Sequence, residues 1–275
     1  MAISKAIATT DLFESKILGQ EIASKKLCIS YQSMRRSSRV LREFVLYYFS
    51  LYNLSYKEFF RFYPILGFVE ALVYETDEEV EEIQSTCYPT IKKSPWQSKQ
   101  EIILSILEEV NIKNKKIDFY LQELGKYFEL ETHLLQASSF EHSDLSKAAE
   151  LRSSDYRILH STLAQMLDLN YREEELSEKL TLMWPLEVLN DLEDDLMSYS
   201  DDVAAKHFNT YRMFVKLYRE KAPYYLKREL DYYESLFHKQ IAVLSDLKRE
   251  PFTQAWNAYR LDHPVPVIPN PIFED

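Results

Sequence analysis

The chain has 275 residues, 46% hydrophobic and 28% charged, with a formal net charge of -11 at pH 7. That composition is globular rather than disordered, and the acidic balance argues against bulk nucleic-acid binding. Three glycines in the whole chain leave almost no sites for phosphate-cradling loops or dinucleotide fingerprints.

Helices are predicted almost throughout. An entry helix runs from about Asp11 to Ser30, and a second from about Ser37 to Tyr52 carries the aromatic run "EFVLYYFSLY". Pro64 suits a first helical position and opens a helix to about Gln84. "CYPTIKKSPW" breaks the chain. Helices follow over about Gln97 to Val110, Lys116 to Ala137, Asp144 to Leu169 and Glu173 to Leu182. An acid-rich helix then spans about Pro185 to Lys206, and two more cover about Thr210 to Glu220 and Pro223 to Lys248. The proline-rich tail "LDHPVPVIPNPIFED" is predicted to be extended, either laid across the surface or disordered. With no repeat or shift in composition, this predicts an all-α fold: one helical domain over residues 1–260, a bundle of roughly ten helices around a central cavity, followed by the tail at 261–275. Cys28 and Cys87 form neither a metal-spaced pair nor a disulfide framework, which points to a reducing, cytoplasmic setting. The first residues mix acids and bases and do not read as a signal peptide, and no stretch has the roughly 18 apolar residues of a membrane span.

The stretch "LNDLEDDLMSYSDDVAAKHFN" holds six carboxylates within twelve positions. With Val188 at zero on a helical wheel, Leu192, Leu196, Tyr199 and Val203 fall within about 80 degrees and form a buried stripe. Asp191, Asp195 and Asp202 fall at roughly 300, 340 and 320 degrees, along one edge of that stripe, whereas Glu193 points toward solvent. Like charges stacked at this spacing repel. They mark either an acidic solvent face or a site for magnesium, which prefers carboxylate oxygens and bridges them to phosphates. In "PILGFVEALVYETDEEVEEI", with Leu66 at zero, Asp77 lies at about 20, Glu70 at about 40 and Glu81 at about 60 degrees, beside the apolar stripe. Glu75, Glu78, Glu79 and Glu82 read as surface. Asp77, nearly facing a core, needs a partner, a proton or a metal.

Arg152 lands among Ala148, Tyr156 and Leu163 on its own helix, so it must pair with an acid, Asp155 being nearest, or reach an anion. Arg157 and His160 point more outward. Arg35, Arg36 and Arg39 form a basic cluster read as surface, or as the seat of a second diphosphate if the reaction condenses two substrates. Phe44, Tyr47, Tyr48, Phe62, Phe68 and Tyr74 are either core or the wall of a cavity.

Two carboxylate-edged helices, a high aromatic content and the lack of glycine-rich loops resemble the class I isoprenoid synthases, which include terpene cyclases, squalene and phytoene synthases and long-chain prenyl transferases. The resemblance implies Mg2+ as cofactor and an allylic prenyl diphosphate as substrate, ionised in a dry cavity. It places Asp77 and Glu81 in a first metal motif and Asp191, Asp195 and Asp202 in a second, with Asn190, Asp194 and Ser198 as another register. Catalysis would rest on Asp77, Asp191 and Asp195. Arg152, Lys206, Tyr211 and Arg212 would bind the diphosphate. The resemblance leaves a homodimer open.

Two other readings stand beside it. A diiron oxygenase would recruit Glu70, Glu131, His133, Glu141, His142 and His160, although the chain has no Glu-x-x-His pair. A noncatalytic helical protein would bind a lipid or partner in an aromatic groove and need no metal.

Overall fold

The computed structural model describes residues 29–86, 95–112, 114–167, 173–262 and 264–274. The expected entry helix over about 11 to 30 lies almost entirely outside them. Among the described residues there are ten α-helices and no strand, and no helix is long and apolar enough to cross a membrane.

Helix α1 (Tyr31–Tyr48) starts earlier than expected because the Ser30 hydroxyl accepts from the Ser33 amide at 2.9 Å, capping the helix. Ser30 and Ser33 also donate to Glu75 at 2.9 and 2.8 Å, which ties this start to α2 (Phe59–Thr86). Glu75 is therefore an anchor, not the free surface acid expected of it. Pro64 lies inside α2 rather than at its first position. α3 (Pro95–Glu109) and α4 (Lys115–Gln136) follow. The single helix expected over about 144 to 169 is two, α5 (His142–Arg152) and α6 (Ser154–Met166), broken where Ser153 adopts ψ 5°. That break sets Arg152 at the end of one helix and Asp155 in the first turn of the next.

The two helices expected on either side of residues 182–185 are one, α7 (Glu173–Ala205), with Pro185 inside it. Proline removes one helical hydrogen bond and crowds the preceding turn, at a cost of about 3 kcal/mol or more. Apolar residues on both sides of it, Leu176, Leu180, Met183, Leu186 and Leu189, are buried and hold the helix together across the defect. Every residue from Pro185 to Glu193 is buried, so α7 is covered on all sides at its centre. α8 (Thr210–Tyr218), α9 (Ala222–Ala242) and α10 (Asp246–Asp262) complete the fold. The helix expected to run unbroken to about Lys248 turns at residues 243–245 instead.

Phe44, Val45, Tyr47 and Tyr48 near the end of α1 are core, and Phe44 and Tyr48 stack at 4.3 Å between centroids. Residues 264–274 are irregular and lie on the surface of α7 and α8. Tyr211 donates to the Pro269 carbonyl at 2.6 Å, and the Ile272 amide donates to the Tyr199 hydroxyl at 2.7 Å.

Gly125 in α4 faces the buried ring of Trp96, which is fixed by its indole N–H on the Leu121 carbonyl at 2.8 Å. An added Cβ would lie 2.7 Å from Trp96 Cδ1. Helix propensity alone would make Gly125→Ala stabilising by up to about 1 kcal/mol. Overpacking against a fixed ring reverses the sign, and urea denaturation should show a loss of about 1–3 kcal/mol. Gly67→Ala, whose Cβ would meet its neighbours at ordinary distances of 3.5 Å and more, is the comparison and should not destabilise.

Candidate functional site

The acid edges of α2 and α7 face the same space. A cavity of about 410 Å³ is lined by Asp77 and Glu81 from α2 and by Asp191, Asp194, Asp195 and Asp202 from α7. Arg36, Arg39 and Glu43 enter from α1, Glu131 from α4, and Arg152 and Asp155 from the α5–α6 break. All five acids read from the sequence as metal ligands, and Arg152, are thus brought together. Asn190 and Ser198 of the other register also line the cavity.

Arginines are placed between the carboxylates. Arg36 donates to Asp77 at 3.1 Å. Arg152 donates to Asp195 and stands 3.8 Å from both Asp191 and Asp194, so Asp155 is not its ion-pair partner. Asp155 instead accepts from the Tyr156 amide at 2.6 Å. Arg39 lies 3.9 Å from Asp194. Arg36, half-buried, therefore belongs to the cavity, whereas Arg39 is exposed, as expected of a surface residue, and reaches only the cavity's rim.

The loop after α7 fixes the acids from the other side. Thr210 donates its amide to Asp195 at 2.6 Å. Asn209, fully buried, donates to Asp202 at 2.8 Å and to the Asp195 carbonyl at 2.7 Å while its own side-chain oxygen caps α8 on Arg212 N. Asp202 also accepts from Ser198 at 2.7 Å. Nothing in the sequence pattern marked Asn209, although its place as an N-cap was readable.

Burial sets the protonation of these groups. It raises Asp77 above the usual carboxylate range, against the pull of Arg36 and Arg152. It raises Asp191 strongly, with neighbouring Asp155 adding to the effect. Burial and then Asp77 push Glu81 up to about 7. The same cause, with Asp77 next, raises Glu131.

Several expectations fail here. Lys206, Tyr211 and Arg212 do not line the cavity: Lys206 is exposed at φ 62° where α7 ends, Tyr211 is buried under the tail, and Arg212 pairs with Glu274. Tyr211 and Arg212 lie on α8, which starts after a turn that carries them round to the tail side. Glu193 is not solvated but 3% exposed, held by Tyr259 and by Arg260 at 2.9 Å, because α10 covers that side of α7. Arg157 pairs with buried Glu187 at 3.1 Å. His160 is fully buried on the Tyr52 hydroxyl at 2.7 Å, and burial lowers it to about 3. Of the six candidate aromatic wall residues only Tyr74 reaches the cavity. The histidines a diiron centre would recruit are elsewhere: His133 is exposed, His142 contacts Tyr218 and Glu229, and His160 contacts Tyr52.

The residues match a hard cation in donor chemistry. Asp191 Oδ2 and Asn190 Oδ1 are buried acceptors with no hydrogen-bond partner, and such atoms are costly unless a cation or donor meets them. As the side chains stand, no three His, Cys, Asp or Glu among the described residues are placed to hold a metal ion. Arginine guanidiniums occupy the spaces between the acids. Comparison with protein-family models, with curated proteins and with solved structures gave no match.

Glu70 lies two turns before Asp77 on α2 and is fully buried, with neither carboxyl oxygen bonded. Burial, and then Asp191, push it up to about 8. Because the folded value lies above the unfolded one, its contribution is complete below about pH 4.5 and is lost as pH rises toward 8. Urea stability of the wild type should therefore fall between pH 5 and 8, and Glu70→Gln should flatten that slope. Equal slopes in the two proteins would show that Glu70 does not retain its proton.

Proposed function

We propose that this protein is a magnesium-dependent enzyme that ionises an allylic prenyl diphosphate, in the manner of a class I isoprenoid synthase. The observation that carries this reading is the meeting of Asp77 and Glu81 with Asp191, Asp195 and Asp202 across one cavity that also contains Arg36 and Arg152.

Charge decides what can enter. The cavity is lined by ten carboxyl groups and three arginines, so a bare diphosphate meets mostly negative charge. Asp77, Asp191 and Asp195, each beside a guanidinium, would hold magnesium, and Glu81 and Asp202 extend the set along both helices. Bound magnesium supplies Lewis-acid charge that neutralises the leaving diphosphate. Arg36 and Arg152, on turning from their carboxylates, donate to its oxygens, where negative charge builds as the allylic C–O bond breaks and both electrons leave with oxygen. Val73, Leu124 and Phe128 give the hydrocarbon an apolar surface and keep water from the cation.

Incubation with geranyl, farnesyl and geranylgeranyl diphosphates should release diphosphate with magnesium and not without it. Asp191→Asn should slow that release by about 100-fold or more, since a charge partner used at ionisation is lost while size is kept. Asp231, exposed and paired with Lys227 on α9, is the control, and Asp231→Asn should leave the rate unchanged. No release with any chain length would favour a noncatalytic, ligand-binding role.

A further inference from the structure

Arg152 stands where three aspartates of α7 converge. Its Nη1 donates to Asp195, while its Nε lies 3.8 Å from Asp191 and its Nη2 lies 3.8 Å from Asp194. One positive charge thus offsets three negative ones, and Asp191 and Asp195 are i,i+4 neighbours that repel without it. Arg36 stands on Asp77 of α2 in the same way, at 3.1 Å. In both places the protein supplies its own cation where the proposed metal would bind.

The substitution is incomplete. Asn190 and Asp191 line the cavity at 7% and 6% exposure, and Asn190 Oδ1 and Asp191 Oδ2 are buried without a hydrogen-bond partner. Arg152 does not satisfy this aspartate, since 3.8 Å is longer than a hydrogen bond. Open acceptors of this kind match a cation that takes several oxygen ligands at once. Both arginines are only half-buried, so each can turn within a cavity of about 410 Å³.

Either ligand alone strands half of an ion pair. A divalent cation entering by itself displaces the guanidinium from Asp195 and leaves it half-buried without that partner. A diphosphate entering by itself draws the arginines away and leaves the carboxylates uncompensated. Together they strand nothing, because the cation takes the carboxylates and the planar guanidinium fork fits phosphate oxygens. We infer that Arg36 and Arg152 mask the cavity, so that a divalent metal and a diphosphate enter it together, each uncovering the other's site. This inference rests on the reading of the cavity as a magnesium and diphosphate site, and it adds how entry is controlled.

Linkage requires each ligand to raise the other's affinity by the same factor. Equilibrium dialysis of the wild type at matched free manganese, with and without inorganic diphosphate, should show that diphosphate tightens manganese binding by about tenfold or more. Loss of a positive charge by itself tightens manganese binding equally in both conditions, so the coupling factor is what reports a mask. In Arg152→Gln, manganese alone should bind about tenfold more tightly than in the wild type, and the coupling should shrink to about twofold. Arg39, exposed and 3.9 Å from Asp194, carries the same charge at the rim, and Arg39→Gln should keep the wild-type coupling. Arg36→Gln should lose coupling as well, and it provides the test if Arg152→Gln does not fold. Wild-type manganese binding that ignores diphosphate, full coupling in Arg152→Gln or Arg36→Gln, or an equal loss in Arg39→Gln would each overturn the inference. Coupling without release of diphosphate from any prenyl substrate would count against the prenyl chemistry and leave the mask standing, whereas release without coupling would remove the mask alone.

Discussion

A helix that is covered on every side and still carries acids needs a counter-charge on every side. α7 is in that position. Glu187 meets Arg157 from α6, Glu193 meets Arg260 from α10, and Asp195 meets Arg152 at the end of α5. Each ion costs several kcal/mol to bury, and removing one partner of such a pair typically costs 3–5 kcal/mol because the other is left uncompensated. Three helices are thereby keyed to α7 by charge as well as by apolar packing. The first two pairs are closed units with Tyr48 and Tyr259 completing them. The third is different: Arg152 is shared among Asp191, Asp194 and Asp195, and it opens onto the cavity. Where the same device is left unfinished, the molecule has acceptors to offer a ligand.

The wheel arguments succeeded where one side of a helix decides the outcome. Asp77, Glu81, Asp191, Asp195 and Asp202 all border apolar stripes, and all reach the cavity. They failed where a helix is covered all round, since periodicity gives the angle of a side chain but not what lies over it. Glu193 was rightly placed away from the other acids and wrongly placed in water. Arg157 and His160 fail in the same way, being packed against α7 and the end of α1. Arg39 is exposed, as a surface reading has it, whereas Arg36 of the same cluster turns to Asp77, because a basic residue near a helix start looks like surface until its neighbour is known. Proline misled twice, at Pro64 and Pro185, where burial on both sides outweighed the local preference to start a helix. The break at Ser153 had no glycine or proline to announce it, and it is what turns Arg152 and Asp155 into the cavity from two different helices.

Lys206, Tyr211 and Arg212 show a limit of a different kind. The resemblance implies a role over the diphosphate for them, from their place just past the acid helix. The turn through residues 206–209 instead presents them to the C-terminal tail, and the loop itself, through Asn209 and Thr210, fixes Asp195 and Asp202. Sequence proximity identified the right segment and the wrong face of it.

The central claim is that carboxylates from α2 and α7 jointly hold a divalent cation when diphosphate is present. Anomalous diffraction from crystals soaked in manganese and inorganic diphosphate tests it most directly, since manganese shares magnesium's preference for oxygen ligands. The account predicts metal peaks inside the cavity, ligated from both helices, with Arg36 or Arg152 turned from its carboxylate toward the anion. Manganese found only on the outer surface, with both arginines still on Asp77 and Asp195, would contradict it.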